Sequence, residues 1–442
     1  MIRLRHHSSP EGENVGGRCR RRAHGVGSRL PRAIRAALAL PVVTLAAAVG
    51  LGSVRAAPAG PGTWSSRAEI VASWEQVRPR DGSALARVAG LPDSTSAIEL
   101  RPEVTWEFAR VSLTAKPRVL ATAAGGEQDV VSQLDEGWLR VRPRVGVSLQ
   151  AGREVLLWGP ATFWNPSNPF FAENNRANPQ RALGGIDLAR VRWQFNRAWS
   201  ATAIGQFGRG RADVASAHRQ GVKVDWVGEA ASAAFVAASA PHERASVHGW
   251  AQGTVSDAVI VYGEAGWSEG AASLYPERGP SPTGWSLQPR GGDARRLKAI
   301  VGGAYTLLSG ATVTVEVWRN GDAWGADRRG QVAEALRALV RQPFGIADGQ
   351  IGGILTTLPE PYGRHRAGVQ IANAGDVRTA WLVRYTHGID EGGGEWLGYL
   401  RRDLSDSLQV WGSAAWCTGG ERSAYGLGVR SAVSVGLTWM PW

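Results

Sequence analysis

Cysteine is nearly absent: Cys19 and Cys417 are the only two in 442 residues. That excludes a disulfide framework and a cysteine-built metal site. Charge is sparse too, at 20% Asp, Glu, Lys and Arg against 43% hydrophobic residues, which excludes a disordered chain and a helical membrane bundle. The net charge of +12 is no nucleic-acid footprint, because residues 1–56 carry ten Arg against two Glu and hold most of the excess. After that segment no apolar run reaches the roughly 18 residues of a spanning helix. His218, His242, His248, His365 and His387 are scattered without zinc-ligand spacing. G-x-S-x-G and phosphate-loop patterns are missing, and Gly205, Gly208 and Gly210 stand outside any βαβ unit. No catalytic residue, cofactor, metal or nucleic-acid partner is expected, although a Ser–His pair assembled from distant strands stays open.

The amino-terminal segment has the parts of an export signal. A basic stretch (Arg29, Arg32, Arg35) leads into an apolar run from Ala36 to Val54, then Arg55-Ala56-Ala57-Pro58. Cleavage after Ala56 is expected, with an uncleaved anchor as the alternative. Residues 1–56 are thus read as an extension plus leader, and 57–442 as a single domain.

What the rest has in abundance is alternation, the β period. Ile98, Leu100, Pro102, Val104, Trp106 and Phe108 alternate with polar residues, as do Val111, Leu113, Ala115, Pro117 and Val119. Leu139, Val141, Pro143, Val145, Val147 and Leu149 read as one further strand. Segments of about ten residues suit a tilted membrane crossing, whereas soluble strands usually stop at about six. Connections alternate in length. Short ones fall near Phe108-Ala109, Gln150–Gly152, Asn196-Arg197, Gly228-Glu229, Ser256-Asp257, Ser309-Gly310, Ala374–Asp376 and Asp403–Asp406. Long ones span 77–97, 122–136, 159–185, 208–218, 268–294, 320–363, 388–394 and 417–428, and only 240–243 is short on that side. Short periplasmic turns and long outer loops are the habit of transmembrane barrels. The expectation is an all-β, antiparallel barrel in the outer membrane of a Gram-negative bacterium. It has about 18 strands if 66–76 is the first, or 16 if two weak segments fail.

Aromatic placement agrees. The chain has 20 Trp. Trp74, Trp106, Trp138, Trp158, Trp193, Trp199, Trp226, Trp250, Trp267, Trp318, Trp381, Trp396, Trp411, Trp416 and Trp439 sit in strand segments, with about two-thirds of them expected in girdles at the two interfaces and Trp138 and Trp158 expected in the lumen. The final run Val433, Val435, Leu437, Trp439 and Trp442 resembles the strand that outer-membrane barrels present to their assembly machinery, with Pro441 and the phase of Trp442 as departures.

Residues 152–193 differ from the rest. Gly152-Arg153 leads to Trp158-Gly159-Pro160, followed by Phe163, Trp164, Asn165-Pro166, Asn168-Pro169, Phe170 and Phe171. This G-R-x-x-x-x-W-G strand running into an N-P-x-N loop resembles uncharacterised porin-like outer-membrane families of Gram-negative bacteria, closely over about forty residues. The resemblance implies an outer-membrane barrel and little assigned chemistry. Asn-Pro pairs stiffen turns, and the aromatic cluster cannot sit cheaply in water. The loop is therefore read either as a constriction in the barrel mouth or as packing along the rim. Within 320–363, Val332, Leu336, Leu339 and Val340 recur at helical spacing, which predicts a short helix over the outer mouth, with a lumenal plug as runner-up.

The polar face carries the remaining signal. Arg140, Arg142 and Arg144 form a ladder, with Arg110, Lys116 and Arg118 beside it and Glu99, Arg101, Glu103 and Glu107 on the strand before. Such rows either set ion selectivity or neutralise one another. The function expected is a porin-like channel for small polar solutes with a mild preference for anions. The alternative is a non-transport barrel serving envelope assembly or polysaccharide attachment. Outer-membrane lipid, the assembly machinery and small solutes are the expected partners, and oligomeric state is left open.

Overall fold

The alternating segments pair in sequence order. The computed structural model describes residues 62–81, 83, 93–171, 180, 182–211, 218–241, 243–269, 274–278, 285–289, 295–342, 351, 363–373, 378–420, 423–426 and 428–441. The expected leader, Trp442 and the turn at 374–376 lie outside the described residues. The strands are β1 (Gly62–Pro79), β2 (Ser94–Phe108), β3 (Val111–Ala124), β4 (Glu127–Arg144), β5 (Val147–Glu154), β6 (Ile186–Gln194) and β7 (Trp199–Gly208). Next come β8 (Arg219–Val227), β9 (Ala231–Ala240), β10 (Glu243–Ser256), β11 (Val259–Glu269), β12 (Leu274–Arg278), β13 (Trp285–Pro289) and β14 (Arg295–Thr306). The last are β15 (Thr312–Asn320), β16 (His365–Ala372), β17 (Thr379–Gly388), β18 (Gly394–Asp403), β19 (Leu408–Cys417) and β20 (Val429–Trp439). β12 and β13 make a separate hairpin. The others form one 18-stranded sheet, closed by antiparallel pairing of β1 with β20.

Period two sorts the side chains. In β15, Val315 and Val317 are exposed while Thr314, Glu316 and Trp318 are buried. Around the barrel the outward positions carry Leu139, Leu149, Val191, Val222, Phe235, Val261, Val301 and Val383, all exposed. A closed sheet with an apolar belt leaves no unpaired edge and suits a hydrocarbon surround. Strand parity points Trp106, Trp193, Trp199, Trp226, Trp381 and Trp439 outward near the short-turn end, and Trp74, Trp267, Trp396 and Trp416 outward near the long-loop end. Trp138, Trp250, Trp318 and Trp411 take the inward phase.

Two expected boundaries move. Residues 139–149 are not one strand: β4 ends at Arg144 and a hairpin at Val145-Gly146 separates it from β5, so Gln150–Gly152 lies inside β5. Gly146 holds φ 79°, the left-handed geometry this tight turn requires. Nor is 122–136 a long connection. β3 and β4 meet at Gly125-Gly126, with φ 60° and 91°, so a second short link lies on the long-loop side. The alternation there was hidden by a bulge. Lys116 pairs with Glu136 and Pro117 with Leu134, so Asp135 is extra. The outward phase therefore switches from Val130 and Leu134 to Leu139.

The expected helix forms as α1 (Ala326–Val340), burying Val332, Ala333, Ala335, Leu336 and Leu339. Arg329 ties it to the long-loop rim. Its Nη1 donates to the Trp324 carbonyl at 2.8 Å and to Asp390 Oδ2 at 2.9 Å, and its Nη2 donates to the Asp390 carbonyl at 2.7 Å. Burial alone would raise the Asp390 carboxyl. The His365 backbone N–H, Arg329 and the Arg364 N–H outweigh it and hold the carboxyl below the usual aspartate range.

A carboxylate with a depressed folded pKa stabilises fully above its unfolded value of about 3.9, and loses that contribution as pH falls through the folded value. Protease cleavage within α1 is accordingly expected to rise in acid, and Asp390→Asn should abolish that pH dependence. Val315→Arg is expected to lower stability by about 2–4 kcal/mol in bilayers, with Arg142→Val costing much less. Equal costs in a urea titration in lipid vesicles would refute the in/out assignment.

Candidate functional site

After Glu154 the chain turns into the barrel. Residues 155–171 run along the inner wall on hydrogen bonds that two buried carboxylates accept. Glu264 on β11 takes the Ala161 N–H at 2.8 Å and the Ser167 N–H at 3.3 Å. Glu316 on β15 takes the Thr162 N–H at 2.6 Å and the Phe163 N–H at 2.9 Å, and also accepts the Tyr262 hydroxyl at 2.5 Å. His248 Nδ1 lies 3.0 Å from the Pro166 carbonyl. Charge-assisted bonds to backbone N–H groups are the strong kind, and within a shielded interior an unmet partner is expensive.

The two asparagines shape the loop. Asn165 Nδ2 donates to the Trp158 carbonyl at 2.6 Å, and its Oδ1 accepts the Ser167 hydroxyl at 3.0 Å. Asn168 Nδ2 donates to the Leu156 carbonyl at 2.7 Å while its Oδ1 accepts the Phe170 and Phe171 N–H groups at 3.2 and 3.0 Å. Pro166 and Pro169 follow each Asn and fix φ. All three polar residues, Asn165, Ser167 and Asn168, are buried.

The aromatics do not form the single cluster that their spacing suggested. Phe170 and Phe171 pack with Leu156, Ile186, Leu188, Ile204 and Val236, with Trp158 against them. Phe163 and Trp164 instead join Ala161, Tyr262, Ile300 and Trp318, and Phe163 stacks on Trp318 at 5.7 Å. A Cβ on Gly368 of β16 would lie 3.0–3.1 Å from the Phe163 ring, so a larger residue there would require the ring to shift. The loop thus lies along the inner wall from β6 to β17, where Arg384 sits 5.8 Å over the Phe163 ring, and it meets β4 at its first residue, where the Val155 N–H donates to Glu136 at 3.3 Å.

The wall of β1 to β4 carries the charged ladder, and it divides in two. Toward the long loops the charges pair. Glu103 meets Arg67 at 2.6 Å and Lys116 at 3.8 Å, and Lys116 reaches Glu136 at 2.7 Å. Glu99 meets Arg101 at 2.8 Å and Arg118 at 3.3 Å, Arg118 reaches Asp135 at 3.5 Å, and Arg101 lies 3.9 Å from Glu69. Toward the short turns the arginines find neutral partners. Arg140 donates to Gln150 at 2.8 Å and lies 4.5 Å over the Trp138 ring, Arg142 donates to Ser112 at 3.2 Å, and Arg110 donates to the Pro143 carbonyl at 2.6 Å. Arg140 and Arg142 have the inward phase of β4. Arg144 leaves the ladder: the register irregularity after Val141 pairs it with Val147, which stands opposite outward Trp193, so its backbone position at the hairpin has the outward phase. Among the described residues Glu107 makes no direct ion pair with these arginines, although its charge and that of Glu154 act on Arg140, while Glu99 and Glu103 pair with Arg101, Lys116 and Arg118.

Glu264, Glu316, Tyr262 and His248 escape a reading by motif. The available signal was a lone Glu at an inward position of an otherwise apolar strand, as in Val315-Glu316-Val317.

No protein-family model and no curated protein sequence matches the chain. Solved structures do resemble it. Acinetobacter baumannii OccAB1 is similar with a TM-score of 0.54 at 10% identity, over 86% of this chain and 97% of that one. Pseudomonas aeruginosa OccK11 (OpdR) gives 0.51 at 11% identity, over 85% and 95%. P. aeruginosa OpdK, solved with vanillate, gives 0.51 at 11% identity, over 85% and 98%. The likeness is one of fold.

Removing both carboxylates strands four loop N–H groups. Glu264→Ala combined with Glu316→Ala is expected to free residues 159–167, seen as new protease cleavage there while the barrel keeps its heat-modifiable gel mobility. A loop as resistant as in the parent protein would refute the anchoring role.

Proposed function

We propose that the chain is a porin-like channel of the Gram-negative outer membrane that passes small polar solutes and favours anions. One observation carries this reading. Inside a closed barrel with an apolar exterior, a pinned loop narrows one half of the lumen, and the wall facing it bears the guanidinium groups of Arg140 and Arg142, whose side-chain hydrogen bonds go to the neutral Gln150 and Ser112. Guanidinium stays charged at physiological pH, so the field of Arg140 and Arg142 on the wall, with Arg144 at its short-turn edge, is permanent. The paired mesh nearer the long loops is close to neutral and stiffens the wall. Loop residues Trp158 to Phe171 are the constriction in this reading, and the Asn-Pro pairs give it a fixed shape. Similarity to channels such as OpdK, whose structure holds vanillate, supports passage of small solutes. The resemblance of residues 152–193 to porin-like families supports the same location. β20, ending in outward Val433, Val435, Leu437 and Trp439, is the strand offered to the assembly machinery.

Planar-bilayer recording of refolded protein tests the proposal. Open-channel conductance with a reversal potential on the anion side is expected in a salt gradient. Replacing Arg140, Arg142 and Arg144 with Gln should shift that potential toward cations. The shift should be largest at low salt, because the ladder acts over about 8 Å at 0.15 M. A protein without conductance would overturn the channel reading and favour the envelope-assembly alternative.

A further inference from the structure

The short-turn end of the barrel holds a second feature, at the edge formed by the β2–β3 and β4–β5 turns. A cavity of about 350 Å³ is lined by Arg110, Arg142, Arg144 and Arg192, with Ser148 and Gln194, and no carboxylate contributes to its wall. Four permanent cations facing one solvent-filled space repel one another, and a fold gains nothing from that arrangement unless an anion enters it.

The frame around the cavity is rigid. The Gln194 N–H donates to the Gly146 carbonyl at 2.7 Å, joining the β4–β5 hairpin to the end of β6. A Cβ at Gly146 would lie 2.9 Å from the Gln194 carbonyl oxygen, so the close approach depends on glycine. The Arg142 N–H donates to the Arg110 carbonyl at 2.8 Å, joining the β2–β3 turn to β4. Two turns and the end of β6 are thus held together, and each of the three contributes at least one guanidinium. Side-chain bonds occupy only part of each donor set: Arg142 Nη1 with Ser112 at 3.2 Å, Arg192 Nη2 with Ser200 at 3.5 Å, and Arg110 Nη1 with the Pro143 carbonyl at 2.6 Å. The five-donor fork of each Arg leaves further N–H groups for a ligand.

We propose that this vestibule is a binding site for multivalent oxyanions, namely sulfate, phosphate or the phosphoryl group of a small solute. The assignment rests on the channel reading above and deepens it by naming the substrate class. A monocarboxylate would offset one of four charges and offer two oxygens. A tetrahedral dianion offsets two and presents oxygens to guanidinium forks from several sides, the geometry arginine recognises best. The neutral donors of Ser148 and Gln194 add hydrogen bonds without adding charge.

Calorimetric titration of detergent-refolded protein with sulfate, inorganic phosphate and acetate at low salt tests it. Sulfate and phosphate are expected to bind at least about tenfold more tightly than acetate. Arg142→Gln, Arg144→Gln and Arg192→Gln together should weaken sulfate by a similar factor or more. Arg144→Gln alone, at an exposed hairpin where folding is least at risk, should weaken it by a smaller measurable step. In bilayers, sulfate added on the short-turn side should reduce chloride current more than acetate does. Acetate binding as tightly as sulfate, or sulfate binding indifferent to both variants, would overturn the site. Conductance without any sulfate preference would overturn this site and leave the channel reading intact. Sulfate binding by a protein that never conducts would do the reverse.

Discussion

Pairing of β1 with β20, from Ile70 opposite Trp439 to Pro79 opposite Val429, closes the sheet on itself. In hydrocarbon a backbone polar group has no water to turn to, so an open edge would cost several kcal/mol for each unpaired group. Closure fixes the circumference at 18 strands, and that sets how much lumen the interior elements must fill. The outward Val, Leu and Trp belt makes sense only once no edge remains. The inward polar face can be charged for the same reason, because it meets water and an inserted loop instead of lipid.

The interior then divides by partner type. From β6 to β17 the wall is met by backbone and aromatics of residues 155–171, whose first residue also bonds Glu136 of β4. From β1 to β4 it is met by charge. In that second sector β2 and β3 pair from Thr95 to Leu100 and again from Val104 to Phe108, with a gap opposite Pro102 and Pro117. Proline has no N–H to contribute to a ladder. The ion pairs of Glu99, Glu103, Lys116 and Arg118 span this gap, so side-chain electrostatics joins two strands where the backbone does not. Below the gap β2 and β3 pair regularly, and there the side-chain hydrogen bonds of Arg140, Arg142 and Arg110 go to neutral groups.

Much of this was legible in the chain itself. Alternation, segment length and the parity of connection lengths located a barrel, its strand number and the odd loop after β5, because each reports a constraint that acts locally along the sequence. Aromatic spacing did not reveal that Phe163 and Phe170 would separate onto different stretches of wall. That outcome depends on Glu264 and Glu316, about a hundred residues and more away, and only the closed sheet brings those carboxylates to the loop. The hairpin at Val145-Gly146 was masked by Pro143, Val145 and Val147, which extend the apolar phase straight through the turn. Residues 122–136 looked irregular because the bulge reverses phase halfway along β4.

That bulge also separates two kinds of genetic change. In a regular spanning strand, losing a single codon inverts every side chain on one side of the lesion, sending charge into lipid. At Asp135-Glu136 the inversion is already built in. Removing Asp135 alone would bring Leu134 and Glu136 into ordinary succession, with Val130, Leu134 and Leu139 still facing outward and Lys116 still opposite Glu136. The chain would lose one counter-charge for Arg118 and keep its faces. β4 is thus a strand whose length can change by one residue without rewriting either half, so the loop-end ion mesh and the turn-end arginines are free to diverge separately.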